Sequence, residues 1–173
     1  VAHSFPTRRS SDLAGEYRKI HLPAEERLVF RPGYRIKPIE TELGILGVMT
    51  GWDLAFPEMA RSLMLSGAEV ILLPAAWQTQ DADMWRTLLV ARAYENDIYI
   101  AAANRIGEEP SYMFAGQSAI LAPSGEVLAA LEEPEEGYVV VRLDLDEVRH
   151  RREDSQVMLA RQPSSYRPIV RKY

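Results

Sequence analysis

Short apolar runs separated by turn residues dominate the first hundred residues of the chain. Residues 36–41 and 45–49 are two such runs on either side of Glu42-Leu43-Gly44, which predicts a β-hairpin. The continuous apolar runs at 70–73 and 98–103 are typical of strands that are covered on both faces.

Two segments between these strands have helical periodicity. The first begins at Pro57 and ends at Gly67, with an apolar stripe at a spacing of three and four residues formed by Met59, Ala60, Leu63 and Met64. The second can be capped by Asp81 or Asp83, ends near Asn96-Asp97, and carries Met84, Leu88, Leu89 and Ala91.

In the last third of the chain the apolar runs are strand-like, without helical segments between them. Residues 117–121, 126–131 and 138–143 resemble strands separated by turns, which predicts an antiparallel meander. Asp144 can cap a final short helix through Val148, and we expect the tail beyond it to be irregular. Strands alternating with helices and followed by a strand run favour a layered α/β or α+β fold.

Residues 3–13 show neither the helical nor the strand periodicity. Their sequence resembles the translation of a common short-read sequencing adapter, and we therefore interpret residues 1–13 as non-native and assign the domain to residues 14–173. The alternative is a natural basic tail.

Composition and charge narrow the classes of function. The 173 residues are 47% hydrophobic and carry a formal charge of −5, which argues against a nucleic-acid-binding surface. No apolar run is long enough to cross a membrane, so we expect a cytoplasmic protein. Because the chain contains no cysteine, it has no disulfides, no thiolate metal ligands and no thiol nucleophile.

Only one region of the sequence has a pattern typical of a catalytic site. There is no phosphate-binding glycine loop and no Gly-x-Ser-x-Gly motif, and His21 and His150 are too far apart for a local metal motif. Residues 47–58 instead predict a strand, a sharp turn at Gly51 and a helix whose first turn carries Glu58. Such a turn lifts a side chain into a cleft, yet the residue at its apex is a glycine.

The chain here resembles the nitrilase, or carbon–nitrogen hydrolase, superfamily from about Tyr17 to Pro168. The resemblance rests on ordered motifs: Tyr17-Arg18-Lys19-Ile20-His21-Leu22, Trp52-Asp53-Leu54-Ala55-Phe56-Pro57-Glu58, Gly67-Ala68-Glu69, Pro74-Ala75-Ala76-Trp77, Ala91-Arg92-Ala93-Tyr94-Glu95-Asn96, Ala103-Asn104-Arg105 and Gly116-Gln117-Ser118. It implies a four-layer αββα sandwich, of which we expect this chain to form an incomplete, C-terminal portion. It also implies a homodimer or higher homo-oligomer when intact, and no cofactor or metal.

Family members hydrolyse amides, carbamoyl compounds or nitriles with a glutamate base, a lysine that stabilises the oxyanion, and a cysteine nucleophile. The resemblance assigns the lysine to Lys19 and the nucleophile position to Gly51. It assigns a second acidic residue to Glu26, with the register open because Glu25 is adjacent.

The flanking residues receive supporting roles from the same resemblance. Asp53, Glu58 and Arg61 are interpreted as scaffold, capping and ion-pair residues, and Trp52 and Trp77 as substrate-binding residues. A buried core role is the alternative for Trp77.

Two departures from the family pattern affect function. Glycine replaces the cysteine, and the glutamate base belongs to a family segment that precedes Tyr17. We therefore expect the intact parent to be a hydrolase and this chain to be inactive. The alternatives are a pseudoenzyme that binds a small amide or carboxylate without cleaving it, and a fragment with no stable function that is marginally stable or oligomeric because a sheet face is uncovered.

Overall fold

The computed structural model describes residues 13–23 and 26–171. The interpretation of residues 1–13 falls almost entirely outside this part of the chain and stays a prediction. The strands are β1 (Ile39–Thr41), β2 (Gly44–Val48), β3 (Val70–Ala75), β4 (Tyr99–Asn104), β5 (Ile106–Glu109), β6 (Tyr112–Ala115), β7 (Ala119–Leu121) and β8 (Val127–Ala130). The α-helices are α1 (Glu26–Val29), α2 (Pro57–Leu65), α3 (Ala82–Asn96), α4 (Leu145–Asp154) and α5 (Gln156–Leu159). Segments of 3-10 helix cover Gly51–Ala55, Thr79–Asp81 and Pro163–Val170.

A six-stranded mixed sheet in the order β1-β2-β3-β4-β7-β8 is the centre of the molecule. β2, β3 and β4 are parallel, and the other neighbours in the sheet are antiparallel. Helices α2 and α3 make the two crossovers and pack on one face, where they bury Met59, Leu63, Leu89, Ile71 and Ile100 in the main core. The expected α/β class is confirmed.

Most of the elements predicted from periodicity are present. The hairpin pairs Ile39 with Leu46, and α2 begins at Pro57 as expected. Gly67, at φ +96°, ends this helix, because its N–H donates to the Met64 carbonyl while the Ala68 N–H donates to that of Leu63.

The expected strand at 138–143 is wrong. These residues alternate between half-buried and exposed positions, with Tyr138 and Val140 at 87% and 84% exposure, but they pair with no strand in the described chain. Alternation predicts an extended backbone, whereas a strand also needs a neighbour to bond.

The C-terminal region also differs from expectation. The helix that Asp144 caps, with its carboxylate accepting from the Asp146 N–H, extends to Asp154 rather than Val148. The tail expected to be irregular contains α5 and the 3-10 segment Pro163–Val170. The hairpin β5–β6 was not predicted.

The sheet face opposite α2 and α3 is only partly covered. The register aligns Val48, Leu72, Ala101 and Ile120 in one row across four strands of this face. Leu72 is 38% exposed in the middle of the sheet. Helix α4 covers the neighbouring part of the face, where Val148 packs with Val70 and Tyr99. Of the expected four layers, the described residues therefore form the six-stranded sheet and the helix layer of α2 and α3.

Candidate active site

The candidate site lies at the carboxyl end of β2, the first of the three parallel strands. After this strand the chain passes through Met49 and Thr50 into the 3-10 turn Gly51–Ala55, and then into α2. Clefts outside the carboxyl ends of parallel strands are the usual ligand sites of such sheets.

Gly51 adopts a backbone conformation that favours glycine and leaves room for a side chain. Its φ is +50°, in the left-handed region, where another residue costs about 1–2 kcal/mol. A Cβ atom added there would lie 3.7 Å from the Lys19 Nζ, with no other non-adjacent atom of the described chain within 4 Å. Any side chain at position 51 would therefore begin beside an ammonium group.

Lys19 is held by the carboxylate of Glu26. Its Nζ donates to Glu26 Oε1 at 2.7 Å and to Oε2 at 2.6 Å, and its backbone carbonyl accepts from the Gly33 N–H at 2.8 Å. The structure thus brings together Lys19, Glu26 and Gly51, the three residues to which the family motifs assign reacting roles.

Asp53 is fully buried and joins the turn to the segment that carries Lys19. Its Oδ2 accepts from the Tyr17 hydroxyl at 2.6 Å and from the Thr50 N–H at 3.0 Å. Its Oδ1 accepts from the His21 N–H at 3.0 Å and lies 3.0 Å from His21 Nδ1. Burial, followed by the bond to Asp53, raises the pKa of Tyr17, so this residue stays a neutral donor.

Tyr17 and His21 were not singled out from the sequence as parts of the site. His21 also stacks on Phe56, with ring centroids 3.6 Å apart. Spacing indicated only that they lie beside Lys19, because in an extended segment positions 17, 19 and 21 share one face. Both residues next to Lys19 on this face bind Asp53, which fixes the lysine relative to Gly51.

Arg92 secures the other end of the turn and was also missed as an individual residue. Its guanidinium is buried in α3 and donates to the carbonyls of Leu54 at 3.2 Å and Ala55 at 3.3 Å. It also pairs with Glu95 at 2.9 Å. Hydrogen bonds from a charged donor to the last carbonyls of the turn stabilise its conformation.

The two tryptophans assigned to substrate have different environments. Trp52 is half-buried and stacks on Trp77, with ring centroids 5.5 Å apart. Trp77 is 5% exposed, belongs to the main core, and donates its indole N–H to the Asp81 carbonyl. Its position matches the core alternative, and neither tryptophan is among the residues that line the cleft beside Lys19.

Glu58 and Arg61 lie on α2, outside the cleft. Glu58 is exposed in the first helical turn, where a carboxylate favours the positive end of the helix dipole. Arg61 makes no ion pair with a described carboxylate: it donates to the Glu95 carbonyl at 2.6 Å and to the Met158 sulfur at 3.0 Å. Burial lowers its pKa.

A cleft of about 520 Å³ opens beside Lys19 and is the size of a small-molecule site. It is lined by Arg18, Lys19, Leu22, Glu26, Val29, Phe30, Arg31 and Thr50. In the part of the chain that the structure describes, no group of three His, Asp or Glu side chains could hold a metal ion. No helix in that same part has the length and apolar character needed to span a bilayer.

The chain is similar in sequence and in structure to known proteins. The family model for carbon-nitrogen hydrolases matches residues 7–153. A nitrilase of Pyrococcus abyssi is 41% identical over 143 residues, which are 80% of this chain and 52% of the relative. The crystal structure of a carbon-nitrogen hydrolase from Helicobacter pylori G27 superimposes with a TM-score of 0.86 at 30% identity, covering 92% of this chain and 61% of that one.

A third relative has a compound bound covalently at its active site. It is a mutant of the amidase from Nesterenkonia sp. AN1, with a TM-score of 0.76, 30% identity, and coverage of 88% of this chain and 55% of that one. That structure carries the acetamide moiety of fluoroacetamide covalently added at the active-site cysteine. The chain therefore spans about half to three-fifths of the length of these relatives.

Proposed function

The chain belongs to the carbon–nitrogen hydrolase family, and we propose that its site around Gly51 is that of a Glu–Lys–Cys hydrolase without its thiol. The complete enzyme hydrolyses a non-peptide C–N bond of an amide, carbamoyl compound or nitrile. In the present chain the site binds such a compound and does not cleave it.

The proposal depends on one observation, the position of Lys19 relative to Gly51. The ammonium lies 3.7 Å from the place where a Cβ would begin, at the apex of a turn fixed by Asp53 and Arg92. A thiol at this apex would be next to a cation, which favours the thiolate and lowers the thiol pKa.

The same lysine is suited to the next step of the reaction. When a thiolate attacks an amide carbon, the new S–C bond leaves negative charge on the former carbonyl oxygen. A fixed ammonium stabilises that charge more than it stabilises the neutral carbonyl. Collapse of this intermediate breaks the C–N bond, the amine leaves with a proton, and water then hydrolyses the thioester.

Glycine at position 51 removes the group that forms the S–C bond. Residues that act as a catalytic unit are lost together, so Lys19 and Glu26 alone give no turnover. The carbonyl-binding part of the site is retained.

Restoring the nucleophile tests the proposal directly. Gly51→Cys is mixed with p-nitrophenyl acetate, and transfer of one acetyl group is followed by release of p-nitrophenolate and by peptide mass spectrometry. We expect acetylation of the introduced thiol and a loss of at least about tenfold in rate when Lys19→Met removes the oxyanion partner.

The matched control is Thr87→Cys, on the exposed side of α3, where Asp83 and Arg86 balance the local charge. This thiol should react slowly and independently of Lys19→Met. Equal rates for the two thiols, or no effect of Lys19→Met at position 51, would overturn the proposal.

A further inference from the structure

Gly51 leaves an open space directly in front of the Lys19 ammonium. A Cβ atom added at this position would meet the Lys19 Nζ at 3.7 Å and no other non-adjacent atom of the described chain within 4 Å. By contrast, a Cβ added at Gly44 or Gly116, which also have positive φ, would lie less than 3 Å from another side chain. The space in front of Gly51 therefore admits an atom of a ligand that contacts the ammonium.

Lys19 has a donor left for such a ligand. An ammonium group carries three N–H bonds. Two of them point to the Glu26 oxygens, at 2.7 and 2.6 Å, and Nζ makes no other hydrogen bond to a described residue. The third N–H can therefore bind an anion that lies in front of Gly51.

The cleft beside this space favours the entry of anions. The ionised groups in its described lining are three cations and one carboxylate, with a net charge of +2: Arg18, Lys19, Arg31 and Glu26. Thr50, the residue before Gly51, lines the same cleft. Because a cleft lined by one sign of charge raises the local concentration of counter-ions, small anions are concentrated next to position 51.

We propose that hydrosulfide binds in front of Gly51 and acts as an external nucleophile, so that this chain converts an amide into a thiocarboxylate. The inference rests on the proposed function, since it takes the cleft beside Lys19 as the place of the amide. Hydrosulfide fits the space because its single heavy atom is a sulfur, the reacting atom of a cysteine, and because it is negatively charged. The sulfur is not bonded to Gly51, so it lies at van der Waals distance from the Cα, on the side of the ammonium.

The reaction needs no reactant besides the amide and hydrosulfide. The sulfur forms an S–C bond to the amide carbon, and the carbonyl oxygen takes the negative charge that the Lys19 ammonium stabilises. When this intermediate collapses, the C–N bond breaks and the proton of hydrosulfide leaves with the nitrogen. The products are a thiocarboxylate and a free amine, and no side chain of the protein is modified.

Cleavage of p-nitroacetanilide in the presence of sodium hydrosulfide tests the inference on the unmodified chain. Release of p-nitroaniline is followed by absorbance, the acyl product is identified by mass spectrometry, and the rate without protein is subtracted. We expect thioacetate, formed in proportion to the protein and to hydrosulfide up to about 50 mM. The dependence stays linear because a ligand with one heavy atom half-saturates its site only near about 0.1 M.

Two variants assign the reaction to the space in front of Gly51. Gly51→Ala places a methyl group where the sulfur would lie and should abolish the protein-dependent rate. Lys19→Met keeps the space and should lower this rate at least about tenfold, because the oxyanion loses its partner.

Gly107→Ala is the matched control for Gly51→Ala. Gly107 is exposed, has a φ of +108°, and would have no atom within 4 Å of an added Cβ. This variant introduces the same methyl group at a positive φ and should react like the unmodified chain. Urea unfolding establishes that each variant is folded before its rate is compared.

The outcomes separate the two proposals. If Gly51→Cys is acetylated in a Lys19-dependent way but the unmodified chain forms no thioacetate, the inference about hydrosulfide is wrong and the proposed function stands. The inference is also wrong if Gly51→Ala or Lys19→Met forms thioacetate as fast as the unmodified chain. If the thiol at position 51 reacts like the one in Thr87→Cys, the proposed function itself is wrong.

Discussion

Replacing Asp53 by asparagine should destabilise the protein although the side chain keeps its size. The two carboxylate oxygens meet the Tyr17 hydroxyl, the Thr50 N–H, and the N–H and ring Nδ1 of His21. An asparagine has a single acceptor oxygen. If that oxygen remains on the His21 side, the new amide group faces the Thr50 N–H, where two donors oppose each other.

The magnitude follows from these contacts. Leaving the Thr50 N–H unpaired costs about 1–3 kcal/mol, and the remaining bonds weaken because they no longer involve a charged acceptor. Together we expect a loss of about 3 kcal/mol in the free energy of unfolding. With a urea m-value of about 2 kcal/mol/M, the unfolding midpoint falls by about 1.5 M.

Urea unfolding followed by tryptophan fluorescence measures this loss, since Trp52 is next to Asp53 and stacks on Trp77. Asp146→Asn is the matched control, because this carboxylate is 68% exposed and pairs with the exposed Arg149. Its effect should stay below about 0.5 kcal/mol. If Asp53→Asn changes stability no more than the control does, the role assigned to Asp53 is refuted.

Three further results are expected. Burial and the bond to Glu147 raise the pKa of Tyr99 to about 12, so the stability that neutral Tyr99 contributes is complete below about pH 10 and is lost as the pH rises towards 12. Over this range the urea unfolding midpoint of Tyr99→Phe should therefore fall less steeply with pH than that of the unmodified protein. Parallel curves for the two proteins would contradict the assignment. Arg92→Met should cost about 3 kcal/mol by urea unfolding, because the Leu54 and Ala55 carbonyls lose their donors, and a cost below about 1 kcal/mol would exclude this role. The uncovered sheet face should make the chain self-associate, which sedimentation velocity detects, and Leu72→Lys should weaken that association. If the unmodified chain sediments as a monodisperse monomer, this expectation is wrong.

Local patterns predicted the elements whose partners are close in sequence. The stripe of α2 and the apolar runs of β3 and β4 specify both the element type and the buried face, and the structure confirms them. Residues 138–143 show the limit of such patterns. Their alternation is that of a strand, but the pattern carries no information on whether another strand is available to pair with it.

The hairpin β5–β6 was missed for a different reason. Its first strand, Ile106–Glu109, contains a glycine and two glutamates, which have low strand propensity. The turn at Pro110-Ser111 was the signal that could have indicated it. Pairing with β6 overrides the weak propensity, because the register joins all four residues of each strand.

Sequence motifs indicated the main positions of the candidate site but not the residues that hold them in place. Family motifs assigned Lys19, Glu26 and Gly51 to one site, and in the structure the Lys19 ammonium lies next to the Glu26 carboxylate and to the Cβ position of Gly51. The bonds from Tyr17 and His21 to Asp53 could not be derived from spacing, because they join positions more than thirty residues apart. Only the fold determines which carboxylate faces the extended segment.

The central claim is that position 51 faces Lys19 as a nucleophile would, and the thiol pKa of Gly51→Cys tests it most directly. The rate of alkylation by iodoacetamide is measured against pH, and its midpoint gives the pKa of the thiol. We predict a midpoint clearly below the usual value of about 8.5, and a return to that value or above it in the Gly51→Cys/Lys19→Met variant. A midpoint near 8.5 that Lys19→Met does not move would contradict the account.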